Sequence, residues 1–325
     1  MIVLPDLGSF EHPGDLLPAS QSLDGRFRAG EDGVRAIVGT RDRKVQFIAF
    51  GGHTMAAVHS SLGHAAYYPV PRVEFRKPVR AVLMDLDGTS VRSEHFWVWL
   101  IEQTLAALMG DSGFALSEAD APFVAGHSVS EHLQYGIDRY CPGRSLQEAR
   151  RLYFERAHHE VGEILQGRGR LDAFTPAPGL AAFLSTLKRR DVRIALVTSG
   201  LHEKAWPEIV ATFRQLDLGD PTQFYDAIIT AGFPLRGGSP GTLGELSPKP
   251  HPWLYAEAAR LGLGLSDEDR TQTVGIEDSG AGVCAVRLAG FTPIGMSGGT
   301  IVESGTRGLC AAYCHSFEEV LEVLF

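Results

Sequence analysis

From about Pro78 to the C-terminus, short apolar runs of strand length alternate with stretches of helical period, the pattern of a parallel sheet covered on both faces. The runs Val79–Asp85, Arg193–Thr198, Asp226–Thr230, Thr273–Glu277 and Thr292–Gly295 predict its strands. Between the first two lies a long insertion, Phe96 to Asp172, rich in Leu, Ala, Glu, Arg and His, with a 3.6-residue period and no run that reads as a strand. This insertion predicts a helical cap, with Pro176-Ala177-Pro178-Gly179 as the return hinge and Leu180–Arg190 as the next helix. Residues 1–77 break the alternation. There Val34–Val38, Val45–Phe50, Met55–Val58 and Arg72–Phe75 are β-prone runs between Gly and Asp turns, and they predict a small β-meander. The chain therefore divides into a β-rich extension (1–77), an α/β core (78–95 and 173–325) and the cap (96–172).

Composition narrows the class. A chain of 325 residues with 44% hydrophobic content buries a large core and has room for more than one domain. Its formal net charge of −9 and the lack of a Lys/Arg block argue against a nucleic-acid partner. The start Met1-Ile2-Val3-Leu4-Pro5-Asp6 has no basic region and its apolar run is broken at once, so it does not read as a signal peptide. No segment has the uninterrupted apolar length of a membrane span, and a cytoplasmic address is the default expectation. The four cysteines, Cys141, Cys284, Cys310 and Cys314, are too few and too scattered for a disulfide framework and read as packing thiols. Two histidine groups suit a metal poorly. His53, His59 and His64 share neither a helix face nor a strand face, and Glu155, His158 and His159 are explained by one exposed face of an amphipathic helix.

The chemistry gathers at strand ends. The apolar run Ala81-Val82-Leu83-Met84 stops at Asp85-Leu86-Asp87-Gly88-Thr89, two carboxylates one residue apart followed by a glycine turn. Acids held together at the carboxyl end of a buried strand need a cation or a proton to coexist. Magnesium is the first candidate. Arg193–Val197 ends in Thr198-Ser199-Gly200, whose hydroxyls and backbone N–H groups suit an anion at a helix start. Lys249 is the cation in Ser247-Pro248-Lys249-Pro250-His251-Pro252, a backbone stiffened by prolines. Thr273-Val274-Gly275-Ile276 then runs into the adjacent acids Glu277 and Asp278. Each motif alone has a plain explanation as a turn, a helix cap or a surface charge. Their order along one chain does not.

Asp-x-Asp-Gly-Thr, Thr-Ser, Lys-Pro and Glu-Asp in this order resemble the haloacid dehalogenase-like superfamily, over roughly Pro78 to the C-terminus. The cap's position after the first motif is similar to that of the phosphoglycolate phosphatase and β-phosphoglucomutase branch. The resemblance implies a Rossmann-like parallel core and a Mg2+-dependent phosphatase acting on a small phosphorylated metabolite. It implies Asp85 as the nucleophile that becomes an aspartyl phosphate, and Asp87 as general acid and base. It places the ion on Asp85, the Asp87 backbone carbonyl and Asp278, with Glu277 as a ligand or as an anchor behind the ligands. Thr198, Ser199, Gly200 and Lys249 would hold the phosphoryl group, and His127, in Gly126-His127-Ser128-Val129, is a candidate substrate contact with Arg92.

A β-phosphoglucomutase-like sugar phosphomutase is the alternative. Against it, Trp97 stands where that mutase has a histidine, and the Gly126–Val129 loop lacks the arginine that grips a second phosphate. The dehalogenase branch does not need the second aspartate that is present here. Ser93-Glu94 matches a pair common in the branch, although Arg92 replaces a frequent acid. Gly232 to Leu246 forms a Gly/Pro-rich loop longer than the family usually carries, placed either at the rim of the site or as a surface insertion. A binding role for the N-terminal extension, self-association included, would stand beside catalysis.

Overall fold

The computed structural model describes residues 2–10, 16–59, 65–120, 129–170, 172–231 and 248–325. The chain opens with a hairpin of β1 (Ile2–Leu4) and β2 (Gly8–Phe10). A five-stranded antiparallel meander follows, β3 (Leu17–Ala19), β4 (Ala36–Gly39), β5 (Val45–Ala49), β6 (Thr54–His59) and β7 (Ala65–Pro69), paired in chain order. Successive residues point to opposite faces. Ile37, Ile48 and Ala57 pack with Phe27 and Tyr67 on one side. Val38, Phe47, Ala56 and Val58 pack on the other against Val283, Cys284, Leu288, Ile301 and Leu309 of the core. Both faces of β5 are thus covered, which is why its sequence does not alternate.

Arg72–Phe75 is not a strand. No described strand pairs with it; Pro71 has no N–H to offer a ladder, and Arg72, Glu74 and Arg76 are exposed. Its outlet is the Arg76 N–H, which donates to the Thr271 carbonyl at 2.7 Å.

The core is a six-stranded parallel sheet built from β8 (Ala81–Asp85), β11 (Arg193–Val197), β12 (Ala227–Ile229), β13 (Thr273–Glu277), β14 (Thr292–Met296) and β15 (Ala312–Cys314). Their spatial order is β12-β11-β8-β13-β14-β15. The chain builds outward from β8 on one side and then returns to its other side, so the order reverses beside β8. In open α/β sheets the crevice at such a reversal, outside the strand carboxyl ends, is where ligands bind. The edge strand β15 was not among the expected strands, being three residues long and half exposed over Ala312 and Tyr313.

Two-residue strands β9 (Val91–Arg92) and β10 (Thr175–Pro176) pair antiparallel and tie the exit from the core to the return into it. Between them lie the helices Glu94–Met109, Val129–Tyr140 and Leu146–Leu165. They bury Leu105, Leu133, Ile137 and Tyr153 against one another. The last starts at Ser145, whose hydroxyl accepts the Glu148 N–H. No described helix is long and apolar enough to cross a membrane.

The N-terminal meander is fastened to the core by polar as well as apolar contacts. Arg287, 6% exposed, donates to the Pro71 carbonyl at 2.6 Å and to the Asp6 carbonyl. Tyr68 of β7 reaches His251 Nδ1 at 2.8 Å, two residues beyond Lys249. Arg287→Met removes charged hydrogen bonds from a buried seam and is expected to cost about 2 kcal/mol, read as a fall in Tm of roughly 3 °C. An unchanged Tm would show that the apolar contacts alone hold the two parts together.

Candidate active site

The crevice beside β8 collects the motif residues. Register places Val197 of β11 opposite Asp85, and β13 pairs with β8 through Ile276 and Met84, which brings Glu277 to the same end. Asp85, Glu277 and Asp278 are all buried, and carboxylate oxygens from the three lie within 4.8 Å of one another. Lys249 Nζ sits among them, bonded to Asp85 Oδ1 and 2.6 Å from Glu277 Oε1. Burial raises the Asp85 carboxyl well above the usual range, the Glu277 charge adds to the rise, and Lys249 opposes it. Asp278 is raised for the same first reason, with Asp85 and Glu277 adding repulsion.

Local sequence explains the convergence. Gly88 turns the chain at φ 84 against the Asp278 carboxylate, where a Cβ would collide. Thr89 Oγ1 donates to Asp278 Oδ1 at 3.3 Å, tying the two acid loops together. Ser279 caps the helix Gly280–Leu288 by accepting the Gly282 N–H, and its hydroxyl also donates to Glu277 Oε2 at 3.1 Å. Tyr255 donates to Glu277 Oε1 at 2.5 Å. Glu277 is fully buried with both oxygens engaged, so the protein itself satisfies it.

Asp87 takes a different setting. Its Oδ2 accepts the Thr198 hydroxyl at 3.1 Å, and its Oδ1 accepts Ser93 at 3.2 Å and Lys204 at 2.5 Å. Burial disfavours its charge, but Lys204 and then Thr198 outweigh burial and hold the carboxyl below the usual range. Thr198 Oγ1 also accepts the Gly200 N–H at 2.8 Å, which shapes the turn into the helix His202–Leu216. Ser199 Oγ accepts the Lys249 N–H at 3.0 Å and so links the hydroxyl motif to the lysine loop. The two aspartates of one motif thus have separate lysines.

Lys204 and Glu208 were not among the expected site residues. They sit one helical turn apart, 3.6 Å from nitrogen to oxygen. Glu208 is fully buried and bonded to the Trp97 indole N–H, and its Oε2 has no hydrogen-bond partner among the described residues. Burial, with the Asp87 charge adding, pushes its carboxyl to about 8. The Lys-x-x-x-Glu spacing after Thr198 is visible in the sequence, but a helical ion pair on a solvated face has the same pattern.

Other expected contacts fall elsewhere. Arg92 is exposed and pairs through its backbone in β9. His127 and the Gly232–Leu246 loop, with Arg236, lie outside the described residues. Glu155 pairs with Arg151 at 2.7 Å. His158 instead reaches Glu203 at 3.0 Å, joining the helix Leu146–Leu165 to the helix His202–Leu216. His53 stacks on Phe50, and His64 lies outside the described residues. Cys314 is buried in the core cluster.

A model of haloacid dehalogenase-like hydrolases matches residues 79–290. The chain belongs to the haloacid dehalogenase-like hydrolase family. The match begins just after the N-terminal meander, which lies outside it. Among solved structures, the chain is similar to CbbY from Rhodobacter sphaeroides in complex with phosphate, with a TM-score of 0.54 and 22% identity, covering 74% of this chain and 96% of that one. A predicted phosphoglycolate phosphatase from Haemophilus somnus 129pt gives 0.54 and 15%, covering 77% and 99%. A subfamily IA hydrolase of this family from Geobacter sulfurreducens PCA gives 0.51 and 16%, covering 78% and 100%. At these identities the likeness is one of fold. This hydrolase-family chain therefore contains nearly the whole length of each, with additional sequence of its own.

Proposed function

We propose that this protein is a magnesium-dependent phosphatase that hydrolyses a small phosphorylated metabolite through an aspartyl phosphate on Asp85. The observation that carries the reading is one buried carboxylate, Asp85, held by Lys249, beside a second, Asp87, bonded to the Thr198 hydroxyl. Nucleophile, charge clamp and proton carrier are the three parts that phosphoryl transfer needs.

In the proposed cycle an Asp85 oxygen attacks phosphorus, the bond from phosphorus to the leaving oxygen breaks, and Asp87 gives that oxygen its proton. Water then attacks the phosphorus of the aspartyl phosphate while Asp87 takes the proton back, freeing phosphate and restoring Asp85. Lys249 neutralises the phosphoryl oxygens, and the backbone N–H groups after Thr198 add dipoles at a helix start. The Lys204 contact favours the charged form of Asp87, so the acid role requires that contact to open when substrate enters.

The donor set fits a hard divalent ion. In this cluster Asp85, Asp87, Glu277 and Asp278 meet two lysines, an excess of negative charge in a buried place. Asp85, Asp278 and the Asp87 backbone carbonyl would hold Mg2+, and when bound it supplies positive charge against the transferring phosphoryl oxygens. Glu277, already satisfied by Lys249, Tyr255 and Ser279, fits better as an anchor than as a ligand.

Phosphate release from a panel of phosphomonoesters, measured with magnesium and with a chelator, tests the reading. Turnover that is lost in chelator is expected; full turnover in chelator would exclude the metal, and isomerisation of a sugar phosphate without release would favour the mutase. Asp87→Asn is expected to lower kcat/KM, which reports the first half-reaction, by roughly 10²–10⁴-fold, with esters of acidic alcohols least affected because their leaving oxygen needs no proton. An equal loss across good and poor leaving groups would make Asp87 a structural residue.

A further inference from the structure

We infer that Tyr68 is a positioning residue of the active site, holding through His251 the turn that presents Lys249 to the phosphoryl group. The inference rests on the phosphatase reading, and it gives the N-terminal meander, which the family match leaves out, a part in turnover. The turn is short. The His251 N–H donates to the Pro248 carbonyl at 3.0 Å, closing four residues with Lys249 in second place. Pro248, Pro250 and Pro252 have no N–H, so Lys249 and His251 are the backbone donors of 248–252. The Lys249 N–H goes to Ser199 Oγ at 3.0 Å, which fixes the turn from the core. From the other side His251, 8% exposed, shares a hydrogen bond of 2.8 Å between its Nδ1 and the Tyr68 hydroxyl.

A shift at His251 would be felt in both directions along the chain. Before it lies Lys249, whose Nζ reaches Asp85, Glu277 and the Val197 carbonyl. After it, the helix Trp253–Glu257 carries Tyr255, which lies under Lys249 Nζ at 5.1 Å from the ring centre and donates to Glu277. Tyr68 is built to resist such a shift. β7 is the edge strand of the meander, and alternation sends Tyr67 to the face that holds Phe27 and Tyr68 to the face packed on Val283 and Leu288. The Tyr68 ring meets those of His251 and Trp253 edge-on, each at 5.9 Å between centres. Its hydroxyl is thus aimed from a packed sheet at the residue that closes the lysine turn. Precision at this point matters, because displacing a catalytic group by about 1 Å costs up to about a hundredfold in rate.

The test is a double-mutant cycle on kcat/KM, in the full-length protein with magnesium and a nitrophenyl phosphate. Tyr68→Phe keeps the ring contacts and removes the hydroxyl, and it is expected to lower kcat/KM by roughly three- to tenfold. His251→Leu should do the same, and the double variant should be no worse than the poorer single one, because the two residues act as one unit. Orthovanadate, which takes up the geometry of the transferring phosphoryl group, should inhibit Tyr68→Phe more weakly by the same factor. Tyr67→Phe removes the bond to Asp24 from the same strand and should leave kcat/KM unchanged. Parent activity in Tyr68→Phe, losses that add in the double variant, or an equal loss in Tyr67→Phe would overturn the positioning role and leave the phosphatase reading standing. So would vanadate inhibition that stays at the parent's level while kcat/KM falls. A parent protein that releases no nitrophenolate overturns both.

Discussion

Asp85→Asn is expected to lower turnover by roughly 10⁴-fold or more, since losing a nucleophile removes a covalent route and not one contact. The amide keeps the shape of the side chain but is a poor nucleophile, and it offers its nitrogen where Lys249 Nζ now bonds a carboxylate oxygen. The variant should fold, because burial already disfavours charge at this position and an amide carries none. Its thermal stability in the absence of metal is expected to equal or exceed that of the parent. Wild-type turnover by this variant would show that Asp85 is not the group that accepts the phosphoryl.

Lys249→Met is expected to damage both activity and stability. Removing a cation aimed at the phosphoryl oxygens costs on the order of 10²–10³ in rate. The lysine is 6% exposed and touches Asp85 and Glu277, and breaking a buried pair from one side costs about 3–5 kcal/mol. The sign of the pH dependence follows from the same geometry. Without Lys249, Asp85 sits buried beside Glu277, and burial already raises its folded-state carboxyl above the ordinary 3.8. Such a group stabilises the fold below its unfolded value and loses that contribution as pH rises through the folded value. The variant should therefore lose stability as pH increases above the ordinary carboxylate range, more steeply than the parent, in thermal melts without metal. Parallel curves for the two proteins would mean that the acids have found another partner.

How much of this was legible depended on what each element needs from its neighbours. β8 and β13 stood out because a parallel strand covered on both faces has no polar alternation, so an abrupt change to carboxylates marks its end. The insertion read as helical because its stripes at three and four residues are intrinsic to the sequence. β15 did not, since a short edge strand half open to solvent has no pattern to distinguish it from a loop. Arg72–Phe75 misled for the opposite reason: its alternation is genuine, and Phe75 packs on the core, but no described strand lies alongside to pair with it. Lys204 was invisible as a partner of Asp87 because 117 residues separate them in sequence, and only the packing of the His202–Leu216 helix brings them together. The packing of the meander against Val283 and Leu288 was equally a matter of tertiary contact.

The central claim is that the phosphoryl group passes through Asp85. Asp87→Asn with a nitrophenyl phosphate separates the two half-reactions, since a nitrophenolate leaves without a proton while attack by water on the phosphoenzyme still needs the missing base. Mass spectrometry of the acid-quenched protein should then find one HPO3 on the peptide that contains Asp85, accumulating as nitrophenolate is released. Phosphate on any other residue, or nitrophenolate released with Asp85 replaced by asparagine at an undiminished rate, would contradict the account.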